Sequence, residues 1–118
     1  MSAKYAFDPK NSMSAVSETT LRGFLDGELI PDLKSVPGIG EASIKRLAES
    51  NVHNTYQLVG IFLALKGPGV GMKDHMEKFF DFLVGVGCKS HHASAAVVAI
   101  AARTNTWMPG LYDPAEWD

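Results

Sequence analysis

The chain predicts an all-α protein: a compact domain of five short helices around two tight glycine turns, with an extended tail at each end. Three observations carry this. Apolar residues recur at three- and four-residue spacing in one segment after another. Clusters of Gly and Pro separate those segments at short intervals. No stretch alternates apolar and polar residues as a half-buried strand requires.

The elements follow in order. The first sixteen residues are polar, are broken by Asp8-Pro9 and Asn11-Ser12, and read as an extension. Ser17 is a candidate N-cap for a helix with Leu21, Phe24 and Leu25 at helical spacing, stopped by Gly27 and Pro31. Residues 32–35 lead into Val36-Pro-Gly-Ile-Gly40. Glu41–Ser50 then follows as a helix with Ile44, Leu47 and Ala48 on one face, closed by Asn51. Thr55 is read as the cap of a helix to Leu65 that is apolar nearly all round, and is expected to be the central buried one. Lys66–Gly71 is a breaker cluster, read as a flexible connector because no Lys-Ser/Thr follows in phosphate-loop position.

Met72–Val84 places Met72, Met76, Phe79, Phe80 and Leu83 on one stripe, with Gly85 and Gly87 ending the helix. Ser90 is read as the N-cap of a last helix to about Thr104, through the alanine-rich run 93–102. Pro109-Gly110 and Pro114 break an acidic tail. The division expected is 1–16 as N-terminal extension, 17–107 as the domain and 108–118 as an acidic aromatic tail. No internal repeat is found.

Composition narrows the function. A chain of 118 residues that is 46% hydrophobic and 20% charged builds a core without staples and is not disordered throughout. A net charge of −2 excludes a strongly basic nucleic-acid-coating protein. The charge is uneven, however: residues 31–103 carry eight basic and six acidic side chains, and residues 104–118 carry three acids and no base. A small local phosphate site stays possible. One cysteine, Cys88, excludes a disulfide framework and a Cys-rich zinc module and points to a reducing compartment. The N-terminus has no apolar signal core, so a nuclear or cytoplasmic, non-secreted protein is expected. The apolar runs 58–65 and 93–102 are too short or too small-sided for membrane insertion.

Val36-Pro37-Gly38-Ile39-Gly40 before an amphipathic helix is the most informative string. Short helix, Gly-hydrophobic-Gly turn, second helix is the helix-hairpin-helix pattern. Gly38 and Gly40 permit positive φ and close approach, and Ile39 pins the turn to the core. Their N–H groups then sit at a helix N-terminus, where free donors and the dipole favour an anion. Lys34, Lys45 and Arg46 supply charge nearby. The plainer reading is an ordinary interhelical turn.

The resemblance then widens. Gly38-Ile-Gly-Glu41, the helix to Ser50, Tyr56–Lys66, Arg22-Gly-Phe24 and Phe79-Phe-Asp-Phe-Leu83 resemble the barrier-to-autointegration factor family over residues 17–107. That resemblance implies a five-helix domain that homodimerises and binds duplex DNA without sequence preference through the hairpin amides of Gly38, Ile39 and Gly40. Lys89 adds charge and Arg22 positions the first helix. No acid–base or nucleophile constellation appears in the sequence, so no enzymatic activity and no cofactor are expected. Two positions depart: Thr20 stands where the family carries a lysine, and His91-His-Ala-Ser94 where it places basic residues. The alternative is the same fold used as an adaptor in a large protein assembly, with weak or no DNA binding.

Other candidates are weighed beside this. Cys88 with His91 and His92 lacks a fourth ligand nearby, so no metal is expected. No Cys-His pair has an orienting third group, so neither a nucleophile nor a small-molecule substrate is expected. His91 and His92 near a phosphate would make DNA affinity rise toward about pH 6. Phe82, with Val86, is expected at an interface. Trp107, Tyr112 and Trp117 are expected to anchor the tail on a partner protein. Gly38→Glu is expected to abolish DNA binding and leave the fold intact.

Overall fold

The computed structural model describes residues 5–12 and 18–117 of the chain. It is all-helical: α1 (Pro9–Ser12), α2 (Glu18–Asp26), α3 (Glu41–Glu49), α4 (Thr55–Ala64), α5 (Met72–Val86) and α6 (Ser90–Asn105). Short 3-10 turns lie at Leu33–Ser35 and Pro114–Trp117. The five longer helices are the five expected, and α1 is a single added turn. The Ser17 cap lies outside the described residues.

α6 is the spindle of the fold. Ala93 to Ala101 are all buried, and α1, α2, α4 and α5 all pack on it. Small side chains make this possible: alanine has the highest helix propensity and lets neighbouring helices approach closely. The expectation that 55–65 is the central buried helix is therefore corrected. α4 carries no charged residue, yet Tyr56, Gly60 and Ala64 are exposed, while Leu58, Val59 and Phe62 face the core. All-round apolarity marked a helix with a bare outer face, not the most enclosed one.

Local chemistry moves three boundaries. Asn54, not Thr55, caps α4 by accepting from the Gln57 N–H at 2.8 Å. Thr55 is buried instead, with its hydroxyl toward the Pro31 and Asp32 carbonyls, each at 3.2 Å. Gly85 lies inside α5, and Gly87 alone ends it, at φ 114°. Lys89, not Ser90, is the N-cap of α6, with no side-chain hydrogen bond.

The extensions pack on the body. Phe7 is 1% exposed and lies against Phe80 and edge-on to Trp117. Glu77 holds this segment by accepting from the Ala6 and Phe7 N–H groups, and the Tyr5 hydroxyl donates to Asp74 at 2.7 Å. At the other end, Asn105 Oδ1 accepts from the Gly110 and Tyr112 N–H groups and folds the tail back. The polar N-terminal segment thus supplies a core phenylalanine.

A histidine is sealed in the core. His75 is fully buried on α5 and stacks on Phe62, with ring centroids 4.2 Å apart. Its Nε2–H donates to the Phe62 carbonyl at 2.6 Å, and Nδ1 has no partner. Burial pushes its pKa down, the hydrogen bond pushes back, and the Lys66 charge lowers it further.

Candidate nucleic-acid interface

The hairpin is built by a short chain of backbone bonds. Val36 N–H donates to Leu33 O, Ile39 N–H to Val36 O and Ile44 N–H to Gly40 O, at 2.9 to 3.1 Å. Ile39 is 5% exposed and anchors the turn in the core, as its apolar side chain dictates. Gly38 takes φ 87°, the left-handed region that favours glycine. Gly40 has φ −107° and serves as the N-cap of α3 with no side-chain cap. Positive φ is therefore needed at Gly38 only. Of the three amides expected to face a phosphate, that of Ile39 is used inside the turn. Those of Gly38 and Gly40 have no partner among the described residues. The N–H groups of the first turn of α3 add to them.

Gly38 is also a contact. A Cβ built there would stand 2.4 Å from the His92 carbonyl oxygen and 3.0 Å from Ala95 Cβ. The hairpin is thus wedged onto the first turn of α6, and two uncapped helix N-termini, those of α3 and α6, lie together. Gly38→Glu therefore does not leave the fold intact: it clashes with backbone. Gly40 has open space where a Cβ would go and admits a side chain.

The cations divide by position. Arg46 lies across Gly87, its side-chain carbons 3.2 Å from where a Cβ would be, and pairs with Glu49 at 3.7 Å. That seats it beside Lys89, two residues on. Lys34 pairs with Glu41 at 3.3 Å at the start of α3. Lys45 and Lys89 are exposed and make no ion pair among the described residues. Arg22 is not brought to this end. It pairs with Asp26 on α2, where Leu21 shares a cavity wall with Val98 and Ala102, and the Gly27 carbonyl accepts from Arg103. Those residues belong to the far half of α6.

The histidines complete the surface. His91 and His92 have ring centroids 4.0 Å apart at the start of α6. Partial burial lowers the His92 pKa, as do the like charges of His91 and Lys89. Cys88 is buried; burial pushes its thiol pKa up, and a hydrogen bond from Ser43 of α3 offsets part of that. Such a thiol is a poor nucleophile. Among the described residues, no three His, Cys, Asp or Glu side chains are grouped to hold a metal.

The expected partner anchors separate as well. Tyr112 is 7% exposed and Trp117 half-buried, with their rings 5.8 Å apart; both face their own chain because the tail folds back. Phe82 is half-buried and stacks parallel to Phe79 at 6.5 Å. Trp107 is 47% exposed, with the Arg103 guanidinium 5.0 Å from its ring. Two features escaped sequence reasoning: the wedge of Gly38 against His92, which no local spacing announces, and the Phe7 socket, whose only signal was a lone aromatic in a polar segment.

No helix among the described residues is long and apolar enough to cross a membrane. No family model, no curated protein and no solved structure matches the chain.

Proposed function

We propose that the protein binds duplex DNA without sequence preference, and without catalysing a reaction, by seating a backbone phosphate at the hairpin. The observation that carries this is the wedge of Gly38 on α6. It holds the free amides of Gly38 and Gly40 at one helix N-terminus beside a second, with Arg46, Lys45, Lys89 and Lys34 around them. Fixed donors and two neighbouring helix N-termini recognise a phosphate oxygen without reading a base. Thr20 and the paired Lys34 leave few free cations, so the affinity is moderate and strongly salt-dependent. The proposal goes with a nuclear or cytoplasmic location.

A second copy of the chain belongs to this proposal. The bare face of α4, with Tyr56, Gly60 and Ala64 exposed and no charge, is the surface we assign to a homodimer. Two hairpins in one dimer would then bridge two duplexes.

The test is fluorescence anisotropy of a random labelled duplex of about two helical turns at two salt concentrations. Binding that weakens with salt and is lost in Gly40→Asp supports the reading. Binding that Gly40→Asp leaves intact, or none at low salt, refutes it. The adaptor reading has one observation in its favour: Trp107 and Met108 are adjacent and exposed, 47% and 41%. It predicts that Trp107→Ala removes the protein from its assembly while DNA has no effect.

A further inference from the structure

A cavity of about 620 Å³ opens between α1, α2, the second half of α6 and the folded-back tail. That size lies within the range of small-ligand sites. Leu21, Val98 and Ala102 give it an apolar wall. Its polar end is Tyr112, whose hydroxyl makes no hydrogen bond among the described residues although Tyr112 is only 7% exposed. That hydroxyl is not among the sealed, unpartnered polar atoms, so it opens onto the cavity the residue lines. Asn105 fixes it there by accepting from the Tyr112 N–H at 3.1 Å.

The sign of the field at that hydroxyl follows from its neighbours. Burial first, and then the carboxylates of Asp113 and Asp8, push the Tyr112 pKa up to about 12. The phenol therefore stays neutral, and two negative charges lie within reach of it. Against them stands one ammonium, Lys10, on the same rim. An anionic head would meet net repulsion here, and a neutral one would gain nothing from the field.

We infer that this cavity binds a small amphipathic amine. Its hydrocarbon body lies against Leu21, Val98 and Ala102, and its ammonium head donates to Tyr112 Oη beside Asp113. The inference stands apart from the DNA reading, since the cavity lies at the far half of α6.

The test compares dodecylamine, dodecanol and dodecanoate, which share a tail and differ in head, by titration calorimetry on the full chain. The amine is expected to bind about tenfold more tightly than the alcohol, and the acid most weakly. Asp113→Asn keeps an acceptor for the Ala115 N–H and is expected to narrow the gap between amine and alcohol severalfold, leaving the alcohol unchanged. Ala102→Trp fills the cavity and is expected to abolish all three titrations, with folding checked by circular dichroism; if it does not fold, Asp113→Asn and Tyr112→Phe decide. Equal binding of the three, tighter binding of the acid, no binding, or an amine preference untouched by both Asp113→Asn and Tyr112→Phe each overturns the inference.

Discussion

Two turns of this molecule share one pattern and differ in everything around it. Pro37-Gly-Ile-Gly40 and Pro68-Gly-Val-Gly71 each place the first glycine at positive φ, 87° and 77°. Each closes with the same bond, Ile39 N–H to Val36 O and Val70 N–H to Gly67 O. Each ends on a glycine that caps the next helix without a side chain, and the first helical bonds, Ile44 to Gly40 and His75 to Gly71, are both 2.9 Å. Yet Gly38 is jammed against His92, while Gly69 has nothing within 4 Å. The first leads into α3, which carries exposed Lys45 and Arg46, and Arg46 lies across Gly87, two residues before Lys89. Around the second stand Asp74 and Glu77, already engaged with Tyr5, Ala6 and Phe7, together with Lys78 and with Lys66, whose ammonium donates to the Val70 carbonyl. The difference teaches that a glycine turn supplies donors, and its neighbours decide whether an anion can use them.

Paired substitutions sharpen that contrast. The largest effect is expected at the first glycines. Gly38→Ala combines positive φ with a backbone clash and is expected to cost about 3 kcal/mol or more, whereas Gly69→Ala, strained but open, is expected to cost about 1 kcal/mol. Urea unfolding of both measures this, and equal losses would break the comparison.

The second pair is Gly40→Asp and Gly71→Asp. Each puts a capping carboxylate where open space receives it, so each is expected to hold or slightly raise stability, by up to about 1 kcal/mol. Only Gly40→Asp is expected to weaken DNA binding, by tenfold or more, on the order of 1.4 kcal/mol. A matching loss in Gly71→Asp would show that both turns contact the duplex.

A third prediction concerns the helix that follows the second turn. His75 is held neutral by burial, so its folded pKa lies below the usual value of about 6.5. The unfolded chain then binds the extra proton first. Stability is full above that value and falls as pH drops through and below it. His75→Gln, which keeps a donor for the Phe62 carbonyl, is expected to flatten this dependence in denaturant titrations at several pH values. The smallest effect belongs to the first turn's neighbours. A phosphate beside His91 and His92 favours their protonated forms, so DNA affinity is expected to rise a few-fold from about pH 7.5 to about pH 6. The double variant His91→Ala, His92→Ala is expected to lose that rise in anisotropy titrations.

Much of the architecture was readable from spacing. Met76, Phe79, Phe80 and Leu83 of the expected stripe face the core as their periodicity dictates, and Ile39 points inward, whereas Met72 is half-buried and its sulfur accepts from the Asp113 N–H of the tail. Local rules misled where two residues competed for one role: Asn54 took the cap from Thr55, whose hydroxyl was drawn to the Pro31 and Asp32 carbonyls. Long-range packing was not readable. Nothing near Phe7 in sequence says that it meets Trp117, at the other end of the chain. The kinship of the two turns was written plainly in Pro-Gly-x-Gly but went unread, because the second lacks the Lys-Ser/Thr of a phosphate loop and so reads as a connector.

The position of the spindle helix along the chain has a consequence for biosynthesis. α6 spans residues 90–105, and the helices that pack on it are all translated before it. Until α6 clears the ribosomal exit tunnel, Phe62 and Phe79 can pack on each other, but the helix that completes the core is missing. The nascent chain therefore waits, with its apolar stripes exposed to chaperones, and folds in one late step once that alanine-rich helix has emerged.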